Sequence, residues 1–198
     1  MSNDPTLRFR ALERGDFAML ASWLEQPHVA RWWRDPSDAR SVEARYGPSV
    51  DGRDPTEMFV VEADGEPVAF IQRYQSGDEP EWRRMLDSAG LVTPAIGIDY
   101  LIGATGRTGT GLGPAMIAAF VAGCWERYPS ASVVAVAVQQ ENRPSWRALE
   151  KAGFRRAWSG RLDSDDPSDD GPSYLYLLAR ENVPPEVGIT GSGARPPR

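Results

Sequence analysis

Hydrophobic positions along this 198-residue chain switch between a period of two and a period near three and a half, and the switches mark out its elements. Thr6–Ala11 alternates Leu7, Phe9 and Ala11 with Arg8 and Arg10, the pattern of a half-buried strand. Phe17, Leu20, Trp23 and Leu24 recur at helical spacing behind Asp16, a capping residue type, and Pro27 is expected to end that helix. His28–Trp33 reads as a short aromatic helix, and Ser37 as the cap of another running toward Tyr46. Met58–Glu62 and Pro67–Tyr74 flank Asp64-Gly65, a hairpin signal because the favoured two-residue turn needs positive φ. Asp78–Thr93 is polar, holds Trp82, and reads as an excursion between strands. Ala95–Ile102 then predicts a strand, Leu112–Tyr128 a long apolar helix, and Ser132–Val138 a strand of β-branched and small residues. Asn142–Ala152 predicts a helix closed by Gly153. Phe154–Arg161 and Ser173–Ala179 can pair across an acidic loop, Asp163–Gly171. From Val183 onward Pro, Gly and Ser dominate, so a domain at 1–182 and a disordered tail at 183–198 are expected.

The segment from Asp99 to Pro114 carries the clearest chemistry: an apolar strand, a glycine-rich turn, then the start of the long helix. A helix start leaves backbone N–H groups unpaired and carries partial positive charge, which suits phosphate oxygens. Gly109, Gly111 and Gly113 remove the side chains that would hold a ligand off that backbone.

Composition narrows the partners. A hydrophobic content of 41% supports one good core, and a net charge of −6 argues against nucleic acid or an anionic membrane while suiting a cationic substrate. Cys124 is the single cysteine, so neither a disulfide framework nor a cysteine zinc cluster is expected, and no metal is implied. Lys151 is the only lysine among 22 basic residues, which reads as coding bias. No signal peptide or apolar run of membrane length is evident, and a cytoplasmic single-domain protein, monomer or homodimer, is the expectation.

The element order, with Arg107–Gly113 before the long helix and Asn142-x-x-Ser145-x-x-x-Leu149-Glu-Lys-Ala-Gly153-Phe154 after it, resembles the GCN5-related N-acetyltransferase (GNAT) family. The resemblance implies an α+β fold: a mixed, mostly antiparallel seven-stranded sheet with about four helices and a splayed central strand pair. A narrower likeness, over residues 6–180, is to the aminoglycoside 6′-N-acetyltransferases and the siderophore side-chain acyltransferases of the same architecture. It rests on words such as Asp16-x-x-x-Leu20-x-x-Trp23-Leu24, His28-x-x-x-Trp32-Trp33, Tyr46-x-Pro48-Ser49-Val50, Ser76-Gly77-Asp78, Gly97-Ile98-Asp99, Gly111-Leu112-Gly113 and Asp170-Gly171-Pro172.

That likeness implies acetyl-CoA as cofactor and a primary amine of a cationic small molecule as acceptor. By it, Leu101, Ile102 and Gly103 would lie along the cofactor arm, Thr108, Gly109, Thr110, Gly111, Leu112 and Gly113 would hold its pyrophosphate, and Asn142 would contact the pantetheine. Asp99 is the candidate base, since an attacking amine must first be neutral. Asp78 and Asp170 match acids that hold amino groups, and Trp32, Trp33 and Tyr46 match aromatics that shape the acceptor site. His28 is expected to have a local structural role and Cys124 to sit in the core.

Three departures stand out. Leu149 occupies a position where the resembling enzymes carry a tyrosine that protonates the departing thiolate, so either another donor such as Tyr100 or Tyr174 takes over or turnover is slow. Ala137-Val138-Gln139-Gln140-Glu141 replaces an acid expected after the fifth strand, and Thr108 stands where a Gln or Arg is usual. A siderophore-pathway acylation of a lysine-derived hydroxamate amine, or a non-catalytic acyl-CoA-binding module, are the alternative functions.

Overall fold

The computed structural model describes residues 5–91, 94–164 and 166–180. Its elements are β1 (Leu7–Ala11), α1 (Phe17–Leu24), α2 (Pro27–Ala30), α3 (Ala39–Val50), β2 (Glu57–Ala63), β3 (Glu66–Gln75), α4 (Pro80–Ser88), β4 (Ala95–Ile102), α5 (Leu112–Arg127), β5 (Val133–Gln139), α6 (Arg143–Lys151), β6 (Arg155–Arg161) and β7 (Pro172–Ala179). The seven strands form one sheet in the order β1-β2-β3-β4-β5-β7-β6, antiparallel except between β4 and β5. The architecture is the expected α+β one, a mixed, mostly antiparallel seven-stranded sheet, with six α-helices among the described residues where about four were expected.

The β4–β5 pairing is short, joining only Ala95–Gly97 to Val133–Ala135. Past that point β4 stays registered with β3, from Arg73↔Ile98 to Ala69↔Ile102, while β5 stays registered with β7 as far as Gln139↔Ser173. The sheet therefore opens as a wedge, and among the described residues one edge of β4 has no strand partner beyond Gly97.

Alternation along the strands sorts the core into two faces. On one face Ile96, Ile98, Val134, Val136 and Tyr176 pack against Met116, Ile117 and Phe120 of α5 and Leu149 of α6. On the other, two separate clusters form. Leu20, Trp23, Leu24, Val42 and Tyr46 of α1 and α3 cover Val60, Phe70 and Leu101. Trp82, Met85 and Leu86 of α4 cover Ala95, Val133, Ala135 and Leu175. Between them the inward positions of β4 are Gly97 and Asp99.

Several local expectations are corrected. Residues Asp78–Thr93 are not a plain excursion: α4 lies inside, its Trp82, Met85 and Leu86 forming one apolar stripe. Pro27 opens α2, which stops at Ala30, so Trp32 and Trp33 lie in the turn beyond it. Asp38 and not Ser37 caps α3, accepting from the Arg40 and Ser41 N–H groups at 3.1 Å each, while the Ser37 hydroxyl donates to Glu25. Asp16 does not cap α1, because both its oxygens are taken by the Arg10 guanidinium at 2.7 Å. The turn expectations agree with the backbone: Asp64 (φ 53°) and Gly65 (φ 86°) make the hairpin, and Gly153 (φ 96°) closes α6. The expected tail at 183–198 lies outside the described residues.

Candidate active site

The wedge and the glycine loop adjoin at the end of β4. Leu101 is buried, Ile102 half-buried, and Gly103 lies so close to α1 that a Cβ there would sit 2.1 Å from the Trp23 ring. The imidazole of His28 meets the Ile102 carbonyl at 2.9 Å, so this histidine ties α2 to the strand. In the loop, Gly109 and Gly111 hold φ of 76° and 91°, and a Cβ at either would meet nothing within 4 Å. Glycine is thus required there by the left-handed backbone, and the space above the loop is open. The Thr110 hydroxyl closes a turn on the Arg107 carbonyl at 2.8 Å, and Thr108 is exposed. Ala115 makes the first backbone bond of α5, to Gly111, which leaves the Leu112 and Gly113 N–H groups at the head of a sixteen-residue helix. Gly113 itself lets α6 approach, its ideal Cβ being 3.4 Å from that of Ala148. Asn142 caps α6 through the Ser145 N–H (3.3 Å) and lines the opening of the wedge.

That opening leads into a cavity of about 390 Å³ between the two apolar clusters. Its described lining carries eight carboxylates (Asp35, Asp54, Glu79, Glu81, Asp99, Asp163, Asp166 and Asp169) against two guanidiniums, Arg45 and Arg84. Trp32, Trp33, Asp99 and Asn142 of the sequence-derived candidates line it. Asp78 and Asp170 do not: Asp78 is exposed beside Gln75, and Asp170 faces Arg34 (3.7 Å) and Arg161 (3.9 Å). Their neighbours Glu79 and Asp169 line the cavity instead. Pro80 occupies the first position of α4, with Glu79 half-buried at its N-cap and Asp78 exposed before it.

Asp99 sits on the cavity floor. Gln72, directly opposite on β3, donates its amide to Oδ2 at 2.9 Å, and the Tyr74 hydroxyl on the same cavity face favours the charged form of the carboxylate. Burial pushes the Asp99 carboxyl up from its ordinary range; Gln72, Tyr74 and the charge of Arg45 pull the other way without cancelling it. Asp169 is pushed up to about 6, first by burial, then by neighbouring Asp166 and Asp99, with Ser164 opposing. Glu79 is raised by burial and by Asp54.

Tyr46 stands behind the aromatic wall and not in it. It is 1% exposed, and its hydroxyl donates to Asp35 at 2.7 Å, while the Trp33 indole N–H donates to the same oxygen at 3.1 Å. Both rings meet Phe70 edge-on at 5.7 Å. Tyr46 therefore holds Trp33 and Asp35 in place. Arg31 stacks over Trp32 at 4.6 Å.

On the opposite face of β4, the Tyr100 hydroxyl lies 2.8 Å from Ser145 Oγ, and both residues line the cavity. Tyr174 is outside the lining, held between Trp146 and Arg156. Leu149 is wholly buried, and Cys124 lies in the core, burial pushing its thiol up to about 11. Sequence reasoning missed Gln72, Tyr74, Asp35 and Arg45. None sits in a recognisable motif: the strand register brings Gln72 and Tyr74 beside Asp99, while α3 and the segment before it bring Arg45 and Asp35 to the cavity.

A thioester arm along the open edge of β4 and an amine above Asp99 would meet at one point, the geometry of an N-acetyltransferase. The chain belongs to the acetyltransferase (GNAT) domain family, whose model matches residues 13–162. Among curated proteins it is similar to the aminoglycoside N(6′)-acetyltransferases type 1 of Klebsiella pneumoniae and Serratia marcescens. Each is 28% identical over 185 residues, covering 91% of this chain and 86% of theirs. Among solved structures it is similar to aminoglycoside acetyltransferase AAC(6′)-Ib in complex with coenzyme A and kanamycin, at 26% identity and a TM-score of 0.73 over 88% of this chain and 95% of that one. The same enzyme with ribostamycin and coenzyme A gives 25% identity and a TM-score of 0.73, covering 88% and 94%. Among the described residues no helix is long and apolar enough to cross a membrane.

Proposed function

We propose that this enzyme acetylates a primary amine of a polycationic small molecule, best matched by the 6′-amine of an aminoglycoside, with acetyl-CoA as donor and Asp99 as base. The observation that carries the reading is the cavity: eight carboxylates against two arginines, arranged around an aspartate at the mouth of the wedge. The open glycine loop, the free head of α5 and the unpaired edge of β4 fit acetyl-CoA, which supplies an activated acyl thioester whose thiol, with a pKa of about 8.5, leaves readily.

The chain's own groups divide the work. Carboxylates such as Asp35, Asp169 and Glu79 accept hydrogen bonds from ammonium groups and orient the acceptor. The same charges raise the pKa of the attacking amine, so a dedicated base is needed to neutralise it. Asp99 fits that role, since burial makes its carboxylate a stronger base than an exposed aspartate. Tyr100, bonded to Ser145, holds a proton at the wedge in place of the tyrosine that Leu149 replaces. A lined cavity with Asp99 intact at its floor favours chemistry over a simple acyl-CoA-binding module, and such chemistry belongs in the cytoplasm.

Steady-state CoA release from acetyl-CoA with kanamycin tests this, comparing wild type with Asp99→Asn. A thiol-reactive dye is usable because the buried Cys124 thiol reacts slowly, and a no-acceptor blank removes what remains. The expected result is saturable release that falls by about 10²–10⁴ in Asp99→Asn with acetyl-CoA affinity unchanged. Undiminished turnover in the variant removes Asp99 from the mechanism; no release in wild type retires the aminoglycoside acceptor.

A further inference from the structure

The register of β3 on β4 sets Gln72 opposite Asp99 and Tyr74 opposite Gly97, so all four residues share the cavity face of the sheet. A diagonal neighbour on a sheet stands about 7–8 Å away between backbones, a distance that a long aromatic side chain can span. Tyr74 bridges that gap because its ring lies in the space where a Gly97 side chain would be. An ideal Cβ on Gly97 would stand 2.3 Å from Tyr74 Cε2 and 2.5 Å from Cζ. The ring has little room to retreat, since Trp82 of α4 packs edge-on against it with centroids 5.0 Å apart. Gly97 keeps φ outside the left-handed region, so its lack of a side chain, and not its backbone freedom, is what this site uses.

Resting on the assignment of Asp99 as base, we propose that Tyr74 is a positioning residue. Its hydroxyl, carried across the slot above Gly97, joins the Gln72 amide in fixing the orientation of the Asp99 carboxylate toward the acceptor. Gly97, Tyr74, Gln72 and Asp99 act as one unit, and the glycine two residues before the base is required by the tyrosine on the neighbouring strand. The two donors also oppose the effect of burial on the carboxylate, since hydrogen bonds to the charged form favour it. The other charged groups felt by Asp99 are Arg45 of α3 and Asp166 and Asp169 of the acidic loop, and none is altered by changes at Tyr74 or Gly97.

The test uses Tyr74→Phe, Gly97→Ala and the double variant, with acetyl-CoA affinity and melting temperature confirming that each is folded. Tyr74→Phe keeps the ring and the Trp82 contact and removes only the donor. The acid limb of the kcat/KM profile with kanamycin is expected to move up by about one pH unit. Gly97→Ala should move it similarly, and the double variant should move no further than Tyr74→Phe alone. A second readout does not depend on turnover: the Asp99 carboxyl is titrated by 13C NMR in aspartate-labelled protein and assigned by its loss in Asp99→Asn. Its midpoint should rise in Tyr74→Phe. An unmoved or lowered midpoint, or additive shifts in the double variant, overturns the proposal. If instead Asp99→Asn retains full turnover while the midpoint rises as expected, the hydrogen-bonded unit stands and Asp99 is not the base.

Discussion

Replacing Gly111 with alanine separates the backbone role of the loop from its ligand role. Gly111 sits at φ 91° and is the residue before α5, and its added methyl would meet no protein atom within 4 Å. The cost to the free protein is therefore the left-handed backbone alone, about 1–2 kcal/mol. At about 2–4 °C per kcal/mol for a chain of this size, melting should fall by roughly 2–8 °C. Gly52, at φ 70° beyond the end of α3 and also with nothing within 4 Å, provides the control. Gly52→Ala should lower melting by a similar amount.

The two variants part company in cofactor affinity. If the loop cradles a pyrophosphate, the methyl added in Gly111→Ala occupies the approach to the N–H groups at the head of the helix. Losing one charge-assisted hydrogen bond there is worth about 1.5–3 kcal/mol, or roughly 10- to 100-fold in Kd. Isothermal titration with acetyl-CoA reads this directly, and Gly52→Ala should bind as wild type does. Equal affinity in Gly111→Ala and wild type, with the melting loss present, would show that the loop is only a connection between strand and helix.

Two further outcomes follow from the same geometry. Asp169 is neutral below its midpoint of about 6 and charged above it, so the KM for kanamycin should rise as pH falls through 6, and Asp169→Asn should flatten that dependence. Leu149→Ala removes a wholly buried side chain from beneath α5 and α6 and should cost about 2–5 kcal/mol in chemical denaturation while leaving kcat/KM of the folded enzyme near wild type; a selective loss of kcat would give Leu149 a part in the reaction.

What the sequence made legible were the features with local causes. Alternation marked the first strand and apolar or β-branched runs the others, Asp64-Gly65 marked the hairpin, and Gly153 marked the end of α6 because each turn requires a particular backbone nearby. Helix α4 escaped because only Trp82, Met85 and Leu86 are buried among nine largely polar residues. Of the candidate residues, Trp32, Trp33, Asp99 and Asn142 line the cavity, and the position of a residue within a turn is where the physics is least forgiving. A shift of one residue in a turn or strand reverses which side chain faces the cavity, so Glu79 and Asp169 line it and their neighbours Asp78 and Asp170 do not. Tyr46 was placed correctly in space but one layer back: with Val42 it forms the buried stripe of α3, and it reaches the cavity only through Asp35 and Trp33. Gln72, Tyr74 and Gly97 depend on the register between two strands, which no single strand encodes.

The placement of the site follows from how this sheet divides its burial. The α5 face of β4 presents Ile96 and Ile98 to a continuous core, so that face supplies packing along its length. The other face begins with Ala95 under α4 and ends with Leu101 under α1 and α3, and the interval between carries Gly97 and Asp99. A charged residue at that point displaces no core contact, because neither helix group reaches it. The wedge then sets Asp99 on one face and Tyr100, with Ser145, on the other, both open to the same cavity. In the proposed reaction, Asp99 and the Tyr100 hydroxyl, on opposite faces of one strand, can act on a single reacting centre only in the plane of the sheet, where β5 has drawn away. Closing the wedge by extending the β4–β5 ladder past Gly97 would leave every side chain in place and still remove the site.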